Sequence, residues 1–151
     1  MDTRERMDKD FTGAVKARDA FAVSALRMLR AALKNAEIEK MSALVEDDVV
    51  DVISREIKKV RDSLESFESA GRTDLADKAR QEIEIISRYQ PTQLTDDEIR
   101  SVIKKVIADL SGNGTMNFGQ VMSGVTKETK GHASGTRVSQ LVKDELSSTA
   151  P

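Results

Sequence analysis

The sequence predicts an all-α protein: a four-helix N-terminal domain containing a long helical hairpin, followed by a small three-helix C-terminal domain. Three observations carry the prediction. Apolar residues recur at helical spacing along nearly the whole chain, and no stretch alternates as a strand would. The composition is poor in aromatics (3%) and holds only two prolines, against many Ala, Glu, Lys, Leu and Ile residues.

Between Ala22 and Glu39, Leu26, Leu29, Leu33 and Ala36 keep one face, with Arg27, Arg30 and Lys34 largely elsewhere. From Asp48 to Ser69 the stripe Val49, Ile53, Ile57, Val60, Leu64, Phe67 is the most regular in the chain. Gly71 stands where a left-handed residue ends a helix. Thr73 then caps a helix carrying Leu75, Ala79, Ile83 and Ile86. The short SAGRTD connection makes the 48–88 region an antiparallel hairpin. Pro91 marks a boundary, giving an N-terminal domain at 1–91 and a C-terminal domain at 92–151. Thr95 and Glu98 form a capping box for a helix bearing Ile99, Ile103, Val106 and Leu110, which SGNGT ends. Asn117 caps a short helix with Phe118, Val121, Met122 and Val125. A turn over Gly131–Gly135 leads to a last helix with Val138, Leu141, Val142 and Leu146.

Composition narrows the function. At 151 residues with a net charge of −2, the chain is not a globally basic nucleic-acid coat, although a local basic patch remains open. It has no cysteine, which excludes disulfides, thiolate zinc sites and thiol nucleophiles and suits a reducing compartment. No apolar run approaches the roughly 20 residues that span a bilayer. Met1–Asp10 mixes acids and bases without an apolar centre, unlike a secretory signal. A soluble, cytoplasmic protein is expected.

The chemistry-bearing residues gather near the C-terminus. Gly119 and Gly124 have the glycine spacing of a phosphate-binding loop, but Val125 and Thr126 follow where Lys and Ser/Thr are required. Close helix packing accounts for them better. His132, the only histidine, has no triad or metal partners at ligand spacing and reads as a surface-loop residue. The acids at 46–48 and 96–98 open helices and complement their dipoles. Lys127, Lys130, Arg137 and Lys143 stand against one acid, Glu128, between 113 and 143. Open backbone N–H groups in the turn and the N-terminus of the last helix would favour phosphate beside those charges. Tyr89 and Phe118, the aromatics nearest in sequence, read as core. No catalytic constellation, metal set or cofactor loop is evident.

The strings RMLRAALKNAEIEK (27–40), VISREIKKVRDSLESFESAGRTDLADKARQEIEIISRYQPTQLTDDEI (52–99) and NFGQVMSGV…KGHASG…V resemble the YqeY-like family over nearly the whole chain. That family is similar in its C-terminal domain to the B subunit of tRNA-dependent amidotransferase. The resemblance implies an all-helical N-terminal domain and a small helical tail domain that contacts tRNA. It also carries a label, carbon–nitrogen ligase activity with glutamine as amide donor, that belongs to the amidotransferase complex, whose catalytic region is larger than this chain. Where relatives commonly read Lys-Gly-Arg-Ala-Asp-Gly, this chain reads Lys130-Gly131-His132-Ala133-Ser134-Gly135. Histidine replaces a fixed charge with a weaker one, while Ser134 can still cap the last helix. The expectation is a protein that is not catalytic alone, needs no cofactor, and contacts tRNA or a tRNA-handling enzyme through Lys127, Lys130, Gly131, His132, Gly135 and Arg137. The alternative is a protein-interaction adaptor docking through the 48–88 hairpin.

Overall fold

A computed structural model describes residues 1–112 and 117–149. Seven helices follow one another among them: α1 Thr3–Lys16, α2 Ala20–Lys40, α3 Glu46–Ser69, α4 Thr73–Ser87, α5 Asp96–Ser111, α6 Phe118–Thr129 and α7 Gly135–Thr149. No strand occurs among the described residues, and the all-α class holds. The chain divides into two compact units, Met1–Gln90 and Pro91–Pro151.

In the first unit, α2 buries Leu26, Leu29 and Leu33, and α3 buries Val49, Val52, Ile53, Ile57 and Val60. Each fully buried aliphatic side chain of this kind contributes about 1.5–3 kcal/mol relative to exposure. The α3 stripe deepens toward its middle: Ile53 is fully buried, whereas Leu64 and Phe67 only lean on the core. Gly71 ends α3 with φ +68°; its N–H donates to Glu68 O at 3.1 Å and that of Arg72 to Phe67 O at 2.9 Å. These two bonds satisfy carbonyls that the helix leaves open. Thr73 does not cap α4. It is the first helical residue, and Arg72 precedes it without a side-chain cap, its guanidinium instead lying beside Asp74.

The first helix has the weakest stripe, with Met7 its only fully buried residue and Phe11 half-buried. It is fixed by polar contacts as well. Arg4 donates to both carboxylate oxygens of Glu37, at 3.2 and 3.1 Å, and Arg30 donates to Asp8 at 2.8 Å. Tyr89 is buried and donates its hydroxyl to Asp10 at 2.7 Å, with the Arg6 guanidinium over its ring. Burial, then the bond to the carboxylate, pushes the phenol well above the ordinary tyrosine range.

In the second unit, Ile99, Ile103 and Val106 of α5 meet Val121 and Val125 of α6 and Val138, Leu141 and Val142 of α7. The Thr95–Glu98 capping box is present, Glu98 N donating to Thr95 Oγ1 at 3.3 Å and Thr95 N to Glu98 Oε2 at 2.7 Å. Ser111 ends α5 and Gly112 caps it; residues 113–115 of the SGNGT stretch lie outside the described residues. Gly124 is where α6 meets α5 most tightly, since a Cβ there would lie 2.7 Å from Val106 Cγ1.

Candidate functional site: the glycine turn and its strap

The turn is built from the end of α6. Thr129 is buried and donates its hydroxyl to Val125 O at 2.8 Å. Lys130 leaves helical geometry at ψ 124°, and Gly131 reverses the chain at φ +80°. That left-handed value is why glycine stands there. The N–H groups of His132 and Ala133 both return to Thr129 O, at 2.8 and 3.1 Å. Ser134 caps α7, its Oγ accepting from Arg137 N at 3.2 Å and its carbonyl from Val138 N at 3.0 Å. These bonds correct the expectation of open N–H groups at this turn: those of His132, Ala133 and Arg137 are used within the fold. Gly135 opens α7 with ordinary dihedrals and no close neighbour.

Against the turn lies the segment from Pro91 to Asp96. Leu94 N donates to His132 O at 2.8 Å, and Gln93 Nε2 donates to Gly131 O at 2.9 Å and to Pro91 O at 2.8 Å. His132 Nδ1 lies 2.8 Å from Thr92 O. A carbonyl only accepts, so this nitrogen carries the proton. Arg137 grips Asp96 with both arms, Nε to Oδ1 at 2.8 Å and Nη2 to Oδ2. The bond to Arg137 holds the Asp96 carboxyl below the ordinary aspartate range and raises the guanidinium in turn. The segment that follows the Pro91 boundary is therefore a strap, buckled to a turn some 40 residues later.

The six residues singled out from sequence thus divide. Gly131 shapes the turn, and Gly135 begins α7. His132 and Arg137 hold the strap, half-buried. Lys127 and Lys130 stand exposed at the end of α6. Lys127 makes no ion pair among the described residues, while the neighbouring Glu128 faces Lys105 at 3.6 Å. The structure also adds two residues. Phe118 is not core: it is 38% exposed, with Lys143 Nζ 5.8 Å from its ring centre. Asp96 matters through a contact 41 residues away that no local pattern announces. The Gly119–Gly124 segment lies inside α6, so it is no phosphate-binding loop. Gly119 approaches only its own cap, Asn117, and does not serve helix packing. No helix among the described residues is long and apolar enough to cross a membrane, and no group of three or more His, Asp or Glu side chains gathers there.

Comparison with known proteins returns one consistent set of relatives. "Altered inheritance of mitochondria protein 41, mitochondrial" of Pyrenophora tritici-repentis is 26% identical over 131 residues, covering 85% of this chain and 71% of the relative. The protein of the same name from Candida glabrata is 33% identical over 85 residues, covering 55% and 47%. That of Lachancea thermotolerans is 28% identical over 113 residues, covering 73% and 60%. In the last two cases the chain spans less than two thirds of the relative. All three are named as mitochondrial, which overturns the expectation of a cytoplasmic location. The profile of the YqeY-like proteins matches residues 4–146, nearly the whole length. The chain belongs to the YqeY-like protein family.

Proposed function

We propose that the chain is an accessory protein of the tRNA-dependent amidotransferase type, contributing contact rather than chemistry, and that its C-terminal unit touches the phosphate backbone of tRNA. The supporting observation is the end of α6, where Lys127 and Lys130 stand exposed three residues apart beside a turn fixed by Gly131 and by the strap. In this reading His132 and Arg137 are positioning residues. They hold the turn that presents the lysines, and Arg137 is already committed to a carboxylate. The glutamine-dependent ligase label of the wider family then describes the complex that such a tail domain serves.

The experiment is a salt titration of tRNA binding with the wild type and the Lys127→Ala/Lys130→Ala variant, leaving Arg137 intact so that the strap survives. Each phosphate neutralised gives a slope of about 0.7–0.9 in log affinity against log salt. Two lost contacts should flatten the slope by about 1.4–1.8, removing about 7- to 12-fold of the affinity change between 50 and 200 mM salt. Equal affinity and equal slope for both proteins would refute the reading.

A further inference from the structure

An open groove of about 430 Å³ runs along the first unit between α2 and α3. Its floor is made of small and flexible apolar side chains, Met28, Ala31, Ala32 and Ala36 on α2 and Val52 on α3. One wall of it, formed by Val52, Arg55, Glu56 and Lys59 of α3, belongs to the 48–88 hairpin that the sequence points to as a docking surface. From Met28 to Glu39 the groove follows α2 for eleven helical rises, about 16 Å, the length of a three-turn helix. Alanines let a second backbone come close, and methionine re-packs against varied partners.

The groove opens at the α2–α3 connection onto exposed apolar residues. Ile38 is 63% exposed and sits three residues beyond Asn35 and seven beyond Ala31, so it prolongs the same helical stripe. Met41, in left-handed geometry at φ 57°, is 86% exposed, and Val45 is 59% exposed. Single exposed aliphatics are ordinary, but three within eight residues at the mouth of a groove form a patch. Glu39, which lines this end of the groove, has no ionic partner among the described residues. Farther in, Arg55 lines the groove without a carboxylate partner among the described residues, whereas Lys59 is paired with Glu56.

We propose that this groove receives an amphipathic α-helix of a partner protein, about three turns long, with its basic N-terminal turn over Glu39 and its C-terminal end toward Arg55. Length, apolar floor and charge agree on that occupant. The positive end of a helix dipole and basic side chains both favour Glu39, and the negative end favours Arg55. The inference is independent of the RNA reading, which concerns the other unit.

The probe is a 14-residue helix-forming peptide with a Leu/Ala stripe, lysines in its first turn and glutamates in its last. A second peptide carries the same residues with the charges exchanged. Binding to the full-length, isotope-labelled chain is followed by amide chemical shifts. The first peptide should shift Met28, Ala31, Ala36 and Ile38 and bind at least tenfold more tightly than the second. Ala31 is exposed, so Ala31→Trp should fill the groove without disturbing the core and weaken binding at least tenfold. Ile38→Ser, at the mouth, should weaken it less. Equal affinity for the two peptides, shifts confined to other surfaces, or indifference to Ala31→Trp would overturn the proposal. So would a concentration-dependent dimer that Ala31→Trp dissociates, since the occupant would then be a second copy of the chain.

Discussion

Gly124→Ala should fail to stabilise the protein, although helix propensity alone says that it must succeed. Glycine inside a helix is about 1 kcal/mol less favourable than alanine, and Gly124 lies within α6. The opposing effect is steric. An added Cβ would stand 2.7 Å from Val106 Cγ1 and 3.6 Å from Cγ2, whereas carbon atoms rest about 3.5–4.0 Å apart. Val106 is buried and β-branched on a helix, which leaves it essentially one side-chain conformation. Relief must come from moving α5 away from α6, and overpacking of that kind costs about 1–3 kcal/mol. The net result lies between no gain and a loss of about 2 kcal/mol. Urea unfolding followed by circular dichroism measures it. Gly13→Ala in α1 is the control: no atom lies within 4 Å of its added Cβ, so it should gain up to about 1 kcal/mol. Adding Val106→Ala to Gly124→Ala should show a favourable coupling of about 0.5–3 kcal/mol. A Gly124→Ala protein as stabilised as Gly13→Ala would refute the claim that α5 and α6 meet at this glycine.

Tyr89→Phe should destabilise the protein by about 1–2 kcal/mol, because Asp10 loses its buried donor. Tyr89 is the only tyrosine and there is no tryptophan, so absorbance at 295 nm reports its ionisation directly. The phenol should stay protonated through pH 10 in the folded protein, and its contribution to stability should fade as the pH climbs beyond that value; a midpoint near 10 without unfolding would contradict its burial. Asp96 has a depressed native pKa, so its stabilising contribution is complete above the ordinary carboxylate range and is lost as pH falls below about 4. Acid unfolding of Asp96→Asn should therefore lack part of the wild-type pH dependence, and superimposable curves would mean that the grip of Arg137 is idle. Residues 1–90 expressed alone should remain helical and unfold cooperatively, as expected of a unit with its own core; a fragment that melts gradually would show that this unit is not an autonomous domain.

Much of the fold is legible because it is written locally. The stripe of α3, the left-handed Gly71, the Thr95–Glu98 box and the Asn117 cap each depend on residues within a few positions of one another. The structure places all four as their patterns require. The first helix is harder to read, since it buries Met7 alone and relies on Arg4–Glu37 and Arg30–Asp8, pairs whose members lie 33 and 22 residues apart. The site follows the same rule. Ser134 as a cap is a local matter, and so is Gly131 as a turn. The strap is not, because nothing near Asp96 distinguishes a dipole-complementing acid from one awaiting Arg137. Phe118 misleads for a related reason: it begins α6, and whether that first position faces the core depends on where α7 runs.

The strap also sets an order on synthesis. A ribosome makes α5 first in this unit, and the fully buried partners of its apolar face of Ile99, Ile103 and Val106 come from Val121 to Val142 among the described residues. The residues that buckle Thr92, Leu94 and Asp96 are made about 40 positions later, which at roughly 5–20 residues per second is an interval of about 2–8 s. During that interval the second unit has no closed core to collapse onto, and its first helix waits with an unsheltered hydrophobic side. Truncations in α7 would make that wait permanent and should yield chains that chaperones retain, even when α1 to α4 are already folded.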